Sequence, residues 1–183
     1  MSTGPSAFWR YLPCGGATYW RVVGEGWTDA ADTSYSKKSG GRWNPSGAFG
    51  VLYLNATRAT AKANAVRYLA GHGLEIEDLL PGTGPHLVAF EVEPCDLVDV
   101  VTDDGIAVCG LPDEYPRGVD HAVCQRLGVA FHAAGEVGIA CRSAQVPDTS
   151  SSTPDEAPLI DYEDGTLPTP GARLTFEEWF PAP

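Results

Sequence analysis

An α+β domain, with a mixed sheet and flanking helices, is what this sequence predicts, on three observations. Short β-branched and aromatic runs alternate with two helix-period stretches, without the regular strand–helix spacing of a doubly wound sheet. The 183 residues, 43% apolar and 20% charged, suffice for one sizeable core and fall short of two comfortable ones, so a single domain over 1–183 is expected. Neither common phosphate cradle is present: no GxGxxG follows a strand, and there is no Walker A loop.

The elements follow in order. Residues 18–23 (TYWRVV) and 51–54 (VLYL) are rich in β-branched and aromatic side chains with turn residues nearby, and read as strands. Between them, residues 24–50 hold too many Gly, Ser, Asp, Asn and Pro for an element, and a long ordered loop in a compact domain usually serves binding. Thr57 to about Ala70 places Ala59, Ala63, Val66, Leu69 and Ala70 at helical spacing before the stop at Gly71 and Gly73. His86–Glu93 alternates with period two up to Pro94, and Asp96–Val101 continues in the same style, predicting two consecutive strands. A second helix is expected over Pro116–Ala134, with Val119, Val123, Leu127, Ala130 and Phe131 on one face and Gly135 after its end. Residues 137–141 read as a buried strand, 145–157 as a loop or flexible insertion, and 158–162 as a strand. The Pro-rich C-terminal extension is expected to pack back through Phe176, Trp179 and Phe180.

The formal charge of −12 argues against direct nucleic-acid binding, which needs a broad basic face. It hides an asymmetry: residues 1–67 carry eight basic and three acidic side chains, so an anionic small molecule would be held mainly by the first third. No apolar run approaches the roughly 20 residues of a membrane span, and the N-terminus lacks the pattern of a signal peptide, so a soluble, cytoplasmic protein is expected. The five cysteines, Cys14, Cys95, Cys109, Cys124 and Cys141, show no CxxC or zinc-finger spacing, and with four scattered histidines they give no metal-ligand cluster. His121 lies three residues before Cys124, which leaves open a nucleophilic thiol beside a buried structural one.

The richest stretch for chemistry is GGRWNPSG at 40–47. Two glycines let backbone N–H groups approach a ligand, Arg42 offers forked donors to a phosphate, Trp43 offers a stacking face, and Asn44 reads or orients a polar group. The alternative is a turn with a packed Trp and a solvated Arg.

Together with its neighbours this stretch resembles the RES-domain family, whose members include the toxins of RES–Xre toxin–antitoxin pairs. Tyr19–Val22 resembles the family's early aromatic-Arg strand, GGRWNPSG its most recognisable signature, and Val51–Leu54 its (I/L)YL strand. The Ala-rich helix, Cys124–Gly128, Gly138–Ala144 and Pro158–Asp164 follow in the family's order. The resemblance implies an ADP-ribosyltransferase-like fold and an activity that consumes NAD⁺ as substrate, by hydrolysis or with inorganic phosphate as co-substrate. It implies that Arg21 and Arg42 clamp phosphate, that Tyr53 stacks on or hydrogen-bonds the nicotinamide ribose, and that Ser143 bonds near that sugar or a bound phosphate. It also implies a cognate Xre-type antitoxin as partner.

The chain departs from the family at one informative place. Eleven residues after Tyr53, where the family carries its catalytic Glu, stands Asn64, which would position the ribose without supplying charge. Glu75 and Glu77 would substitute only if the chain folded them back. Some members carry a Ser where Ala122 stands, which would leave its role to Ser143. Three readings follow: an NAD⁺ glycohydrolase or phosphorylase, a weakened domain that binds NAD⁺ or another nucleotide, and an ADP-ribosyltransferase.

Overall fold

The computed structural model describes residues 8–80, 82–146 and 152–180. The chain forms β1 (Tyr11–Cys14), β2 (Ala17–Val23), α1 (Ser34–Ser39), β3 (Gly50–Asn55), α2 (Arg58–Gly71), a 3₁₀ turn (Ile76–Asp78), β4 (His86–Val92) and β5 (Cys95–Val100). It continues through α3 (Asp103–Val108), α4 (His121–Ala134), β6 (Ile139–Cys141), β7 (Glu156–Asp161), β8 (Pro170–Leu174) and α5 (Phe176–Trp179). The fold is the predicted α+β type, an eight-stranded sheet in the order β1-β5-β6-β7-β3-β2-β4-β8, antiparallel except where β5 meets β6.

The predicted consecutive strands β4 and β5 are not neighbours. β4 pairs with β2, and β5 with β1. Because Gly15 and Gly16 alone join β1 to β2, and Glu93 and Pro94 join β4 to β5, the two pairs form one antiparallel ribbon with a corner in it. Gly16 N–H closes that corner on the Val92 carbonyl at 2.7 Å. The ribbon's halves stand on either side of β6, β7 and β3 in the sheet, so the sheet has to curl back on itself. Its inner face gathers Tyr19, Val23, Leu52, Leu54, Phe90, Leu97, Ala140 and Leu159. The outer face of the β5-β6-β7-β3 half packs Val51, Val98, Val100, Ile139, Cys141 and Ile160 beneath Trp43, Cys124 and Phe131. On the other half, Ala61 and Ala65 of α2 and Trp179 of α5 cover Leu87, and the Trp179 indole donates to the Pro85 carbonyl at 2.9 Å. β2 and β3 share only the pair Trp20–Asn55, and the Asn55 amide spans the splay to the Trp20 carbonyl at 2.9 Å.

Several boundaries move from the predicted ones. The 24–50 loop contains α1, a short helix with no apolar periodicity, held by the Val51 N–H on Ser36 Oγ at 2.8 Å. α4 starts at His121 and not at Pro116, because Asp120 caps it, accepting from Ala122 N–H at 2.9 Å. The buried face of α2 is Ala61, Ala65 and Leu69, rotated from the predicted stripe, since small alanines all round the helix leave little contrast to read. Residues 147–151 of the predicted 145–157 loop lie outside the described residues, and its last two, Glu156 and Ala157, are strand. No helix among the described residues is long and apolar enough to cross a membrane.

His132, in the last turn of α4, stacks between Phe49 at 4.3 Å and Tyr162 at 4.9 Å. Burial holds its pKa below the ordinary 6.5. The unfolded chain therefore binds this proton more readily than the folded one, and the contribution to stability is present above pH 6.5 and lost as pH falls toward the folded pKa. His132→Phe, which keeps the stack and removes the proton site, is expected to flatten the melting temperature between about pH 5 and 7 relative to the parent.

Candidate functional site

The residues of GGRWNPSG fold first against each other. Gly40 N–H donates to the Ser36 carbonyl at 2.8 Å and Gly41 N–H to the Asn44 carbonyl at 2.9 Å. The Asn44 amide donates to the carbonyls of Ser36 (2.7 Å) and Phe49 (2.9 Å), and its oxygen accepts from the Tyr53 hydroxyl at 2.9 Å. That hydroxyl accepts in turn from Trp43 N–H at 2.9 Å. Gly41 has to be glycine here, because a Cβ would sit 2.4 Å from Tyr53 Oη. Trp43 and Asn44 are both 0% exposed. This packing places the Gly40 and Gly41 N–H groups inside the turn, buries the Trp43 ring and sets the Asn44 amide on framework carbonyls.

What the turn does present is Arg42. Its guanidinium is half-buried, donating from Nη1 to the Arg142 carbonyl (3.2 Å) and from Nη2 to the Pro116 carbonyl (3.0 Å). It lies 4.9 Å from the Tyr115 ring centre and 5.8 Å from that of Trp43. Burial works against its charge, yet its surroundings, the Glu156 carboxylate among them, hold its pKa above the usual arginine value. Burial also pushes the pKa of Tyr115 and Cys141 well up and raises that of Cys124, keeping all three neutral.

The segment Cys124–Gly128 of α4 is the other half of the same contact. Gln125 Nε2 donates to the Gly41 carbonyl at 2.8 Å. Gly128 lies so close beneath the turn that a Cβ would be 1.7 Å from the Trp43 carbonyl oxygen. Two motifs more than eighty residues apart in sequence thus form one clasp.

Strand alternation supplies the floor. Tyr53 and Asn55 of β3, Glu156 of β7 and Cys141 of β6 point to the outer face, with Asn55, Glu156 and Cys141 in one cross-strand row. Burial raises the Tyr53 phenol well above its ordinary pKa. Asn64 reaches this row from α2, its amide donating to Asn55 Oδ1 at 2.7 Å and Glu156 Oε1 at 3.0 Å. Ser143, fully buried, follows the Arg142 carbonyl that holds Arg42; its N–H donates to Asp155 Oδ2 at 2.9 Å, and its Oγ accepts from Gln145 N–H at 3.2 Å. Arg42, Tyr53, Asn64 and Ser143 therefore gather around one end of β3, β6 and β7. Arg42, Tyr53, Asn64 and Glu156 each keep some solvent exposure.

Arg21 stands elsewhere. It alternates with Tyr19 and Val23 on the inner face of the sheet, and its Nη1 donates to the carbonyls of Ala30 (2.6 Å) and Asp32 (3.0 Å). Burial lowers its pKa, while Asp32 and Asp29 oppose that shift. It closes the loop after β2, and the expected two-arginine clamp is not assembled. His121 is exposed and Cys124 is a buried, neutral thiol, which excludes the nucleophile pair. Glu75 and Glu77 line a hollow of about 520 Å³ with Lys62 and Phe180, apart from this site. A second hollow, about 350 Å³, runs along the outer side of α4 and is likewise not lined by Arg42 or Tyr53. Among the described residues no group of three or more His, Cys, Asp or Glu side chains could hold a metal ion.

The fold and the sequence both have known relatives. A chain of the crystal structure of the M. tuberculosis MbcT-MbcA toxin-antitoxin complex superimposes with a TM-score of 0.76 at 20% identity, covering 90% of this chain and 86% of that one. Comparison with the curated proteins gives no match. The family model described as RES domain matches residues 18–152, a span that takes in the GGRWN turn, α2, the α4 clasp and Ser143. This chain belongs to the RES-domain family.

Proposed function

We propose that this protein breaks the nicotinamide–ribose bond of NAD⁺ in the cytoplasm and is the toxin of a toxin–antitoxin pair. The observation that carries the reading is the gathering of Arg42, Tyr53, Asn64 and Ser143 around one end of the outer sheet face, with the Asn64 amide on the Glu156 carboxylate. Arg42 would exchange its carbonyl partners for the pyrophosphate, which as an anion accepts stronger hydrogen bonds than a neutral carbonyl. As the C1′–N bond breaks, its electron pair leaves with nicotinamide and positive charge grows on the ribose. An oxygen of water or inorganic phosphate then bonds to C1′, giving ADP-ribose with a proton released to solvent, or ADP-ribose 1″-phosphate. The fold shared with a chain of a toxin–antitoxin complex supports a protein partner that restrains the activity.

The test is incubation of the purified protein with NAD⁺, with and without phosphate, separating nicotinamide and ADP-ribose products by chromatography. Nicotinamide release is expected, and its dependence on phosphate names the acceptor. Absence of release overturns the reading. A second reading, a domain that binds NAD⁺ without cleaving it, is favoured by Asn64, and NAD⁺ binding without nicotinamide release would establish it.

A further inference from the structure

We propose that Glu156 supplies the carboxylate of this site, from β7, across a hydrogen bond from the helix position where Asn64 has none to offer. The proposal rests on the NAD⁺-cleaving reading and names the group that would answer the charge developing on the ribose.

Three features of the geometry carry it. Glu156 sits at the centre of the Asn55–Glu156–Cys141 row, on the same face as Tyr53, so its side chain rises from the floor of the site. Its two oxygens are held in different ways. Oε1 accepts from the Asn64 amide at 3.0 Å, while Oε2 lies 3.9 Å from the buried Cys141 sulfur, a weak partner. Among the described residues no ion pair involves Glu156, although it is half-buried. A carboxylate kept partly out of water without a contact cation among the described residues is an arrangement that a cationic transition state would relieve.

Asn64 then acts as a positioning residue. Its amide bridges Asn55 Oδ1 and Glu156 Oε1, and Asn55 is anchored to the Trp20 carbonyl across the splay between β2 and β3. This chain fixes Glu156 from the rigid sheet outward to α2. A carboxylate at position 64 in addition would face Glu156 at hydrogen-bond distance, and two like charges there repel. Asn64→Glu alone is therefore expected to give no gain in rate, whereas exchange of the two groups restores a single carboxylate at the contact.

The experiment uses the full chain with NAD⁺, measuring nicotinamide release, equilibrium NAD⁺ binding and thermal melting. Glu156→Gln keeps the shape and an acceptor for Asn64 while removing the charge. It is expected to lower kcat by about 100-fold or more, with binding and melting temperature close to the parent's. The exchanged protein, N64E/E156Q, is expected to recover at least about tenfold over E156Q, a return of part of that loss. Parental turnover in E156Q overturns the proposal while leaving the NAD⁺ reading intact. A loss matched by weakened binding or a lowered melting temperature assigns Glu156 to the framework and also overturns it. So does a folded exchange protein as inactive as E156Q. Absence of nicotinamide release by the parent overturns both this proposal and the reading beneath it.

Discussion

Gly128→Ala is expected to destabilise the protein by about 3 kcal/mol and to abolish the activity proposed for it. The added Cβ would sit 1.7 Å from the Trp43 carbonyl oxygen, which is backbone, so no side-chain rotation relieves the overlap. Relief requires α4 to move off the turn. That breaks the Gln125–Gly41 hydrogen bond and loosens the enclosed Trp43 ring against Phe131. Alanine has a higher intrinsic helix propensity than glycine by up to about 1 kcal/mol, so a loss of stability at a helical glycine isolates the packing term. Denaturant melting checks the magnitude, and an unchanged or raised midpoint would show that the clasp is not as tight as the geometry states.

Arg42→Ala is expected to cost about 1–3 kcal/mol in stability and, under the proposed function, essentially all NAD⁺ cleavage. The guanidinium joins three segments: the turn that carries it, the Pro116 carbonyl ahead of α4 and the Arg142 carbonyl after β6. Removing it leaves both carbonyls without that partner and opens space beside Tyr115, whose hydroxyl has no hydrogen-bond partner among the described residues. Arg42→Lys separates the two effects. An ammonium is a point charge that cannot fork to two carbonyls of different segments while stacking on a ring, so stability is expected to fall with charge retained. Melting curves and NAD⁺ titration of both variants provide the check; parental NAD⁺ affinity in Arg42→Ala would remove this residue from the binding site.

Both substitutions act on features differently visible in the sequence. The longer elements were legible because their pattern is their own: β2, β3, β4, β7 and the two long helices carry enough periodic side chains to declare a buried face. The missed elements, β1, α1, α3, β8 and α5, run only four to six residues, and α1 (SYSKKS) has no apolar member but Tyr35, which is exposed. Topology was not legible, because the adjacency of β4 and β5 in sequence says nothing of a corner that sends them to opposite halves of the sheet. Within the site, Arg42, Tyr53, Asn64 and Ser143 lie together, while Trp43 and Asn44 build the frame and Arg21 faces the other way. Glu156 escaped notice because it ends a polar stretch read as loop. The signal was there in the alternation back from Ile160 through Pro158, which puts residue 156 on the same side.

The two outermost strands of the sheet among the described residues set a limit on how other proteins engage this one. β1 is four residues long with Pro13, which has no N–H to donate, in its midst. β8 opens with Pro170, shifts register against β4 between Val88 and Phe90, and spends Arg173 on His86 and the Trp27 carbonyl. Short length, proline, a bulge and a charged side chain are the devices that blunt an edge against another chain's strand. Recognition by strand addition, and runaway self-assembly by the same route, find little template at either border, which directs any protein partner to the helices and loops instead.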